Sequence, residues 1–273
     1  MMVLFYTDKS GNRIAYTDRG SGDIIVLLHG YLESLLVWDR FSADLSRHFR
    51  VLSVDLPGHG QSDVISGEHS MEMMAERIAG LLDYLGIEKV LMTGHSLGGY
   101  VALAFLELFP ERLSGYCLFH SHPFADTDEA LERRKREIAI VEAGRKNIMY
   151  PGNVIKMFAP HNIEIMDDEL ARFNEIASHT PDRGIIAAIR GMMTRPSRLH
   201  LLETGRVPLL MVLGIHDQYI DYGTMTGAIQ LPVNAAMVTL FESGHLGFVE
   251  EPERSLSFVL EFAFTVFGEN SRA

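Results

Sequence analysis

Ser96 stands in Gly94-His95-Ser96-Leu97-Gly98-Gly99, directly after the apolar run Lys89–Thr93. A serine hydroxyl becomes an effective nucleophile only when a histidine takes its proton and a carboxylate holds that histidine in the right tautomer. The chain carries both residue types further on. Asp217 closes Leu213-Gly214-Ile215-His216-Asp217, and His245 lies in Glu242-Ser243-Gly244-His245-Leu246. Glycines flanking Ser96 permit a sharp strand-to-helix turn that lifts the hydroxyl clear of its strand. Taken singly, each residue has a plainer reading: a glycine-flanked serine suits an ordinary turn, an aspartate caps a following helix, and a loop histidine is a surface residue. Their order, and their shared position just past the carboxyl ends of apolar runs, select the roles of nucleophile, orienting acid and general base.

Acyl transfer also needs N–H donors aimed at the oxyanion. The Leu97 N–H follows the nucleophile at a helix start, and the Tyr31 N–H sits in Leu28-His29-Gly30-Tyr31, where Gly30 lets the backbone fold close to Ser96.

Positioning these groups requires a scaffold, and the hydropathy pattern supplies one. Val3–Thr7 and Arg13–Thr17 flank a Gly-Asn turn and read as a hairpin. The runs Ile24–Leu28, Val51–Asp55, Lys89–Thr93, Gly115–His120, Pro208–Gly214 and Ala236–Phe241 are continuously apolar, as strands covered on both faces must be. Helical patterns at Trp38–His48, Met71–Leu85, Leu97–Phe109 and Glu253–Phe267 alternate with them. The expected fold is therefore α/β, a doubly wound, mostly parallel sheet. From Ser121 to Arg206 the rhythm breaks into charged, methionine-bearing helical segments punctuated at Tyr150-Pro151-Gly152, Ala159-Pro160, Thr180-Pro181 and Arg195-Pro196. This interval, 121–206, is expected to be a helical cap inserted after the sixth strand, over the carboxyl edge of a core built from 1–120 and 207–273. A packing elaboration without a substrate role is the plainer reading of the same segment.

The ordered series Leu28-His29-Gly30, Trp38, Asp55-Leu56-Pro57-Gly58-His59-Gly60-Gln61-Ser62-Asp63, Gly94 to Gly99, Gly214 to Asp217, and Gly244-His245 followed by Glu250-Glu251-Pro252 resembles the α/β-hydrolase superfamily across everything outside the insertion. The resemblance implies Ser96, Asp217 and His245 as a catalytic triad, Tyr31 and Leu97 as oxyanion donors, a mobile cap, and a mainly structural loop from Asp55 to Asp63. It also excludes: epoxide hydrolases and haloalkane dehalogenases of this superfamily carry an aspartate where this chain has Ser96. The short His29-Gly30-Tyr31 segment lacks the extended glycine run of some lipases and esterases. That favours small esters or carbon-carbon bond substrates.

Histidines gather at strand ends, and His29, His95, His120 and His122 are expected either to line the substrate pocket or to hydrogen-bond loop backbone. His120 and His122, two apart on an extended segment, point the same way, but no third ligand accompanies them at a recognisable spacing, so no metal is expected. Met149, Met157, Met166, Met192 and Met193 suit either an adaptable pocket or simple packing. With a formal net charge of -12, the chain is a poor candidate for phosphate-held nucleic acid. The basic run Arg133–Arg136 is flanked by acidic residues and reads as a solvated helix face. The single cysteine, Cys117, excludes an internal disulfide and fits a buried apolar position. Neither a secretory leader nor a membrane-spanning stretch is legible, so the expected partner is a small-molecule substrate, with no nucleic acid, no membrane and no cofactor, in the cytoplasm.

The function expected is hydrolysis of a small carboxylic ester through an acyl-enzyme on Ser96. Hydrolysis of a carbon-carbon bond in a diketone by the same triad is the alternative enzyme reading, with a cofactor-free peroxidase side activity behind it. A ligand-sensing signalling module of the same fold, turning over slowly or not at all, is the alternative from another class.

Overall fold

The computed structural model describes residues 2–268, so Met1 and 269–273 of the two expected core spans lie outside it. Strands β1 (Leu4–Thr7), β2 (Arg13–Arg19), β3 (Ile24–Leu28), β4 (Arg50–Val54), β5 (Val90–His95), β6 (Leu113–Phe119), β7 (Leu209–Gly214) and β8 (Ala235–Leu240) form one sheet in the order β1-β2-β4-β3-β5-β6-β7-β8. The β1–β2 and β2–β4 pairs are antiparallel and the rest parallel, as expected from the hairpin followed by βαβ units. Strand residues of β5 and β7 are buried throughout, which is why those runs show no polar alternation.

Helices α1 (Asp39–Leu45), α2 (Met71–Tyr84) and α3 (Leu97–Leu108) connect the strands of the first half. The expected helix from Trp38 starts differently: Leu35–Trp38 forms a 3-10 turn, with the Ser34 hydroxyl accepting the Leu36 N–H. In α2, Ser70 caps the helix by accepting the Met73 N–H, and Met71, Met74, Ala75, Ile78 and Leu82 turn one face into the core at the i, i+3, i+4 spacing. The β6–β7 interval carries α4 (Asp128–Glu142), α5 (Lys146–Ile155), α6 (Asp167–His179), α7 (Asp182–Thr194) and α8 (Leu199–Glu203), with no strand among the described residues. Tyr150-Pro151-Gly152 was expected to punctuate this interval, yet Pro151 lies inside α5. Proline there forfeits one backbone hydrogen bond, and burial of Met149 and Val154 along the same helix offsets the loss. A helix α9 (Tyr222–Ala228), begun by Asp221 accepting the Thr224 N–H, joins β7 to β8 and has too little apolar periodicity to read beforehand. The chain ends in α10 (Gly247–Glu250) and α11 (Pro252–Phe267).

The loop from Asp55 to Asp63 is structural, as the resemblance implied. Buried Asp55 accepts the Leu35 N–H at 2.7 Å and the Gln61 N–H at 2.8 Å, and the Ser62 hydroxyl donates to Asp55 O while accepting the Ala15 N–H. This ties β2, β4 and the turn before α1 into one unit.

Close backbone approach brings α3 to the end of β3. A Cβ on Gly98 would stand 2.4 Å from Leu28 O and 2.8 Å from His29 O, so glycine is what lets the start of α3 rest beside the Tyr31 turn. Gly98→Ala should lower unfolding stability by about 3 kcal/mol, because the obstructing atoms are backbone and cannot rotate away. Urea denaturation checks this, and a midpoint equal to that of the parent would contradict the packing.

Candidate active site

Ser96 joins β5 to α3 with φ 48° and ψ -111°, a region L-residues rarely occupy. Neighbouring elements hold that turn. The Ser96 N–H donates to Phe119 O at 3.0 Å, and the Ser121 hydroxyl donates to Ser96 O at 2.8 Å. Leu97 opens α3, so its N–H belongs to the first turn, which has no intrahelical acceptor. Across from it, Gly30 donates its N–H to Glu33 Oε2 at 2.6 Å and accepts the Glu33 N–H at 3.3 Å, a tight turn that displays Tyr31 at its apex.

Asp217 and His245, 28 residues apart, meet through a hydrogen bond: His245 Nδ1–H donates to Asp217 Oδ2 at 2.7 Å. The other carboxylate oxygen, Oδ1, accepts the N–H groups of Tyr219 and Ile220 at 2.8 and 2.9 Å. Burial would raise the Asp217 pKa, but the charge of His245 and hydrogen bonds from His120 and His245 outweigh it and hold the carboxyl far below the usual carboxylate range. With Nδ1 committed, Nε2 is the His245 nitrogen left to accept a proton. His245 and Ser96 line the same cavity of about 780 Å³, within the size range of small-molecule sites.

The loop bearing His245 is fastened by two neighbouring carboxylates: Glu251 Oε2 accepts the Glu242 N–H and the Ser243 hydroxyl at its start. Glu250 Oε2 accepts the Gly244 and Leu246 N–H groups, and its Oε1 accepts the Ala159 N–H and the Asn162 side-chain amide. Met157 O adds a bond from the His245 N–H at 2.7 Å. The β6–β7 interval is thus bonded directly to the loop that carries the base.

Three of the four histidines do not line the pocket but lie behind it, and each follows the other expectation stated for them, a ring nitrogen hydrogen-bonded to backbone. His29 Nδ1–H donates to Gly30 O while Nε2 accepts the Leu56 N–H. His95 is fully buried between Glu33 and the His245 carbonyl, donating Nδ1–H to Glu33 Oε2 at 3.0 Å and Nε2–H to His245 O at 2.8 Å. Two donated N–H groups make that ring a cation. Burial alone would depress its pKa, but the Glu33 carboxylate outweighs burial and leaves it raised. His120, also fully buried, sits against Asp217 on the side away from the cavity. Only His122 of the four faces the cavity, its Nδ1 accepting the Phe124 N–H and its Nε2 3.1 Å from the Tyr100 hydroxyl. His120 and His122 therefore diverge. Ligand atoms of His120, Asp217 and His245 do come within 4.8 Å of one another, but Asp217 and His245 are committed to each other by hydrogen bonding.

Other walls of the cavity escaped the sequence reading. Tyr100, Arg133, Arg134, Glu137 and Tyr219 all line it. The basic run is thus not wholly solvated: Arg134 Nε donates to Asp126, which also accepts from buried Arg195, and Arg195 lies over the Tyr100 ring at 4.0 Å. Burial raises the Glu137 carboxyl, with Arg134 and Arg133 pulling the other way. The i, i+3 spacing of Arg134 and Glu137 on α4 was the available signal, masked by a helix that is charged all round. Of the five methionines, Met157 and Met192 line the cavity, Met149 is buried, and Met166 and Met193 pack against the core. Cys117 is buried, and burial pushes its thiol pKa up, so it is an inert packing residue.

Comparison with known proteins matches residues 23–137 to the alpha/beta hydrolase fold family. An esterase from Thermogutta terrifontis is 28% identical, with a TM-score of 0.92 over 97% of this chain and 99% of its own. A hydrolase from Pseudomonas aeruginosa is 25% identical, with a TM-score of 0.87 over 96% and 98% of the two chains. The 2-hydroxy-6-oxononadienedioate/2-hydroxy-6-oxononatrienedioate hydrolase of Burkholderia vietnamiensis is 27% identical over 93% of this chain and 92% of its own. Among the described residues, no helix is long and apolar enough to cross a membrane.

Histidine burial sets an acid limit on stability. Burial lowers the pKa of His29, His59, His69, His120 and His122, with His120 pushed down to about 4 and His122, also repelled by Arg195, to about 3. Unfolded, each would titrate near its ordinary value of 6.5, so the unfolded state binds more protons below that pH and stability falls as pH drops. His95 and the carboxyls of Asp55, Glu137 and Glu250 are raised rather than lowered and act in the opposite sense, four groups against the five rings, the carboxyls only toward the acid end of the interval. The urea midpoint should fall steadily from pH 7 to roughly pH 4.5. A flat midpoint across that interval would refute the assignment of these rings as buried and neutral.

Proposed function

Because the chain belongs to the α/β-hydrolase superfamily and is a hydrolase, we propose that it cleaves a small carboxylic ester through an acyl-enzyme on Ser96. The observation that carries this reading is the pairing of the Asp217–His245 hydrogen bond with the strained Ser96 turn on one cavity. His245 Nε2 takes the Ser96 hydroxyl proton as Oγ attacks the ester carbonyl. The Leu97 and Tyr31 N–H groups receive the oxyanion, and the departing alcohol takes the proton back from His245. Water, deprotonated by the same nitrogen, then attacks the acyl carbonyl, the bond to Ser96 Oγ breaks, and His245 returns the proton to Oγ as the acid leaves. Asp217 stays ionised throughout, and its Oδ1 bonds to the Tyr219 and Ile220 N–H groups keep it from swinging away when the imidazolium forms.

In this reading residues 121–206 act as a cap on the 1–120 and 207–273 core. Support comes from the cavity, whose walls include Asp126, Glu137, Met157 and Met192 of that interval opposite Ser96. His122 and Tyr100 form a polar patch between cap and nucleophile. The enzyme works on a small molecule, without cofactor or metal, in the cytoplasm.

Likeness to the Burkholderia vietnamiensis hydrolase favours one second reading, carbon-carbon bond hydrolysis of a diketone with the same residues. Assay of p-nitrophenyl acetate against a ring-cleavage diketone separates the two. A ligand-sensing module would show slow single turnover in both assays.

A fluorophosphonate probe should label Ser96 covalently, and Ser96→Ala should abolish the labelling while leaving the fold intact by circular dichroism. Labelling that survives the substitution would overturn the assignment. Asp217→Asn should lower kcat by roughly 10³- to 10⁴-fold, since the amide leaves His245 in the wrong tautomer.

A further inference from the structure

We infer that His120 is a positioning residue for the reaction: its neutral ring presents Nδ1–H to Asp217 Oδ2, the oxygen that His245 uses, and thereby shares the carboxylate that holds His245. The inference rests on the roles proposed above for Ser96, Asp217 and His245.

Tautomer assignment comes from the other ring nitrogen. The Gly247 N–H donates to His120 Nε2 at 3.1 Å, so Nε2 carries a lone pair and the proton resides on Nδ1. Nδ1 lies 3.3 Å from Asp217 Oδ2, off the line of a well-formed hydrogen bond, and has no other partner among the described residues. A fully buried N–H is thus aimed at the catalytic carboxylate and nothing else.

The fold is shaped to house this ring. His120 has φ 46°, a left-handed backbone unusual for a side chain with a ring, and its N–H is anchored to Val212 O at 2.9 Å. Two glycines border the ring: a Cβ on Gly247 would stand 2.2 Å from Leu240 Cδ1 and 2.6 Å from His120 Nε2, and one on Gly214 would meet Gly244 O and Ser243 O before His120 Cε1 at 3.0 Å. Strain on one residue and missing side chains on two others converge on one imidazole.

Electrostatics give the direction of its effect. A donor on Oδ2 spends part of the carboxylate charge that would otherwise face the His245 ring alone, so removing it should strengthen the pull of Asp217 on the His245 imidazolium. The titratable groups packed around the pair are His245, with its ring centroid 5.8 Å from that of His120, and His95 at 6.1 Å, itself paired with Glu33. Tyr219 adjoins His245 from the cavity side. Burial depresses the His120 pKa to about 4, which keeps the ring neutral through the working range of an esterase.

The experiment uses two variants that divide the ring between them. His120→Asn retains a donor near the Nδ1 position, loses the acceptor for Gly247, and tolerates a left-handed backbone. His120→Gln can retain an acceptor for Gly247 but offers no donor at the Nδ1 position. The readout is the pH dependence of the rate at which a fluorophosphonate labels Ser96, with thermal denaturation run in parallel. In His120→Gln the acid-side midpoint of the labelling rate should rise by roughly one pH unit, and in His120→Asn it should return toward that of the parent. Equal midpoints in the parent and both variants, with only melting temperatures lowered, would reduce His120 to a packing residue and overturn the inference. Absence of Ser96 labelling in the parent itself would instead overturn the reading of the active site.

Discussion

The ion pair between His95 and Glu33 is the contact on which the geometry of the site depends. Their side chains are 0% and 1% exposed, and three separate segments end on them. Glu33 Oε2 accepts both the Gly30 N–H and the His95 Nδ1–H, His95 immediately precedes Ser96, and His95 Nε2–H reaches the carbonyl of His245. Ser96, His245 and the Tyr31 turn are therefore referenced to one imidazolium. Burying such a pair costs several kcal/mol per ion, and the cost is offset only where hydrogen bonds satisfy the charged atoms. Here both His95 nitrogens and Glu33 Oε2 are satisfied, while Glu33 Oε1 has no partner among the described residues. Such a pair is weak as a source of stability and strong as a source of position.

Around that pair the protein concentrates local strain. Leu32, Ser96 and His120 are the non-glycine residues with positive φ among those described, and they flank the Tyr31 turn, the nucleophile and the back of Asp217. Such conformations persist only where surrounding structure over-determines them. The determinants are visible: Phe119 O and the Ser121 hydroxyl for Ser96, Val212 O for His120, and the packing of Leu32, 1% exposed, in the core. Phe248 and Trp38, tilted to each other with centroids 4.4 Å apart, both pack against the His95 ring.

Much of the fold was legible because the strands are apolar without interruption. Ile24–Leu28 was bounded to the residue, and the other strands shifted by one or two positions, since apolar periodicity marks a strand but ladder hydrogen bonds decide its ends. The turn before α1 and the helix α9 escaped, because a 3-10 turn and a short capped helix carry little periodic signal. In the site, Ser96, Asp217 and His245 stood out because strand ends and glycines mark them. Glu33, Tyr100 and Glu137 did not, because Glu33 acts through a partner 62 residues away and the other two through a cavity wall that no local pattern encodes.

Sequence by itself marked the candidate site residues and the layered α/β scaffold, since Ser96, Asp217 and His245 each follow a recognisable strand and hydrophobic pattern is local to a segment. Tertiary structure alone decided the state of each histidine. His95 is a cation because two oxygens happen to face its two nitrogens, His120 is a neutral donor because Gly247 N–H claims its other nitrogen, and His122 reaches the cavity that His245 also lines. The protonation of an imidazole is fixed by what meets each ring nitrogen in space, and spacing along the chain carries no record of that.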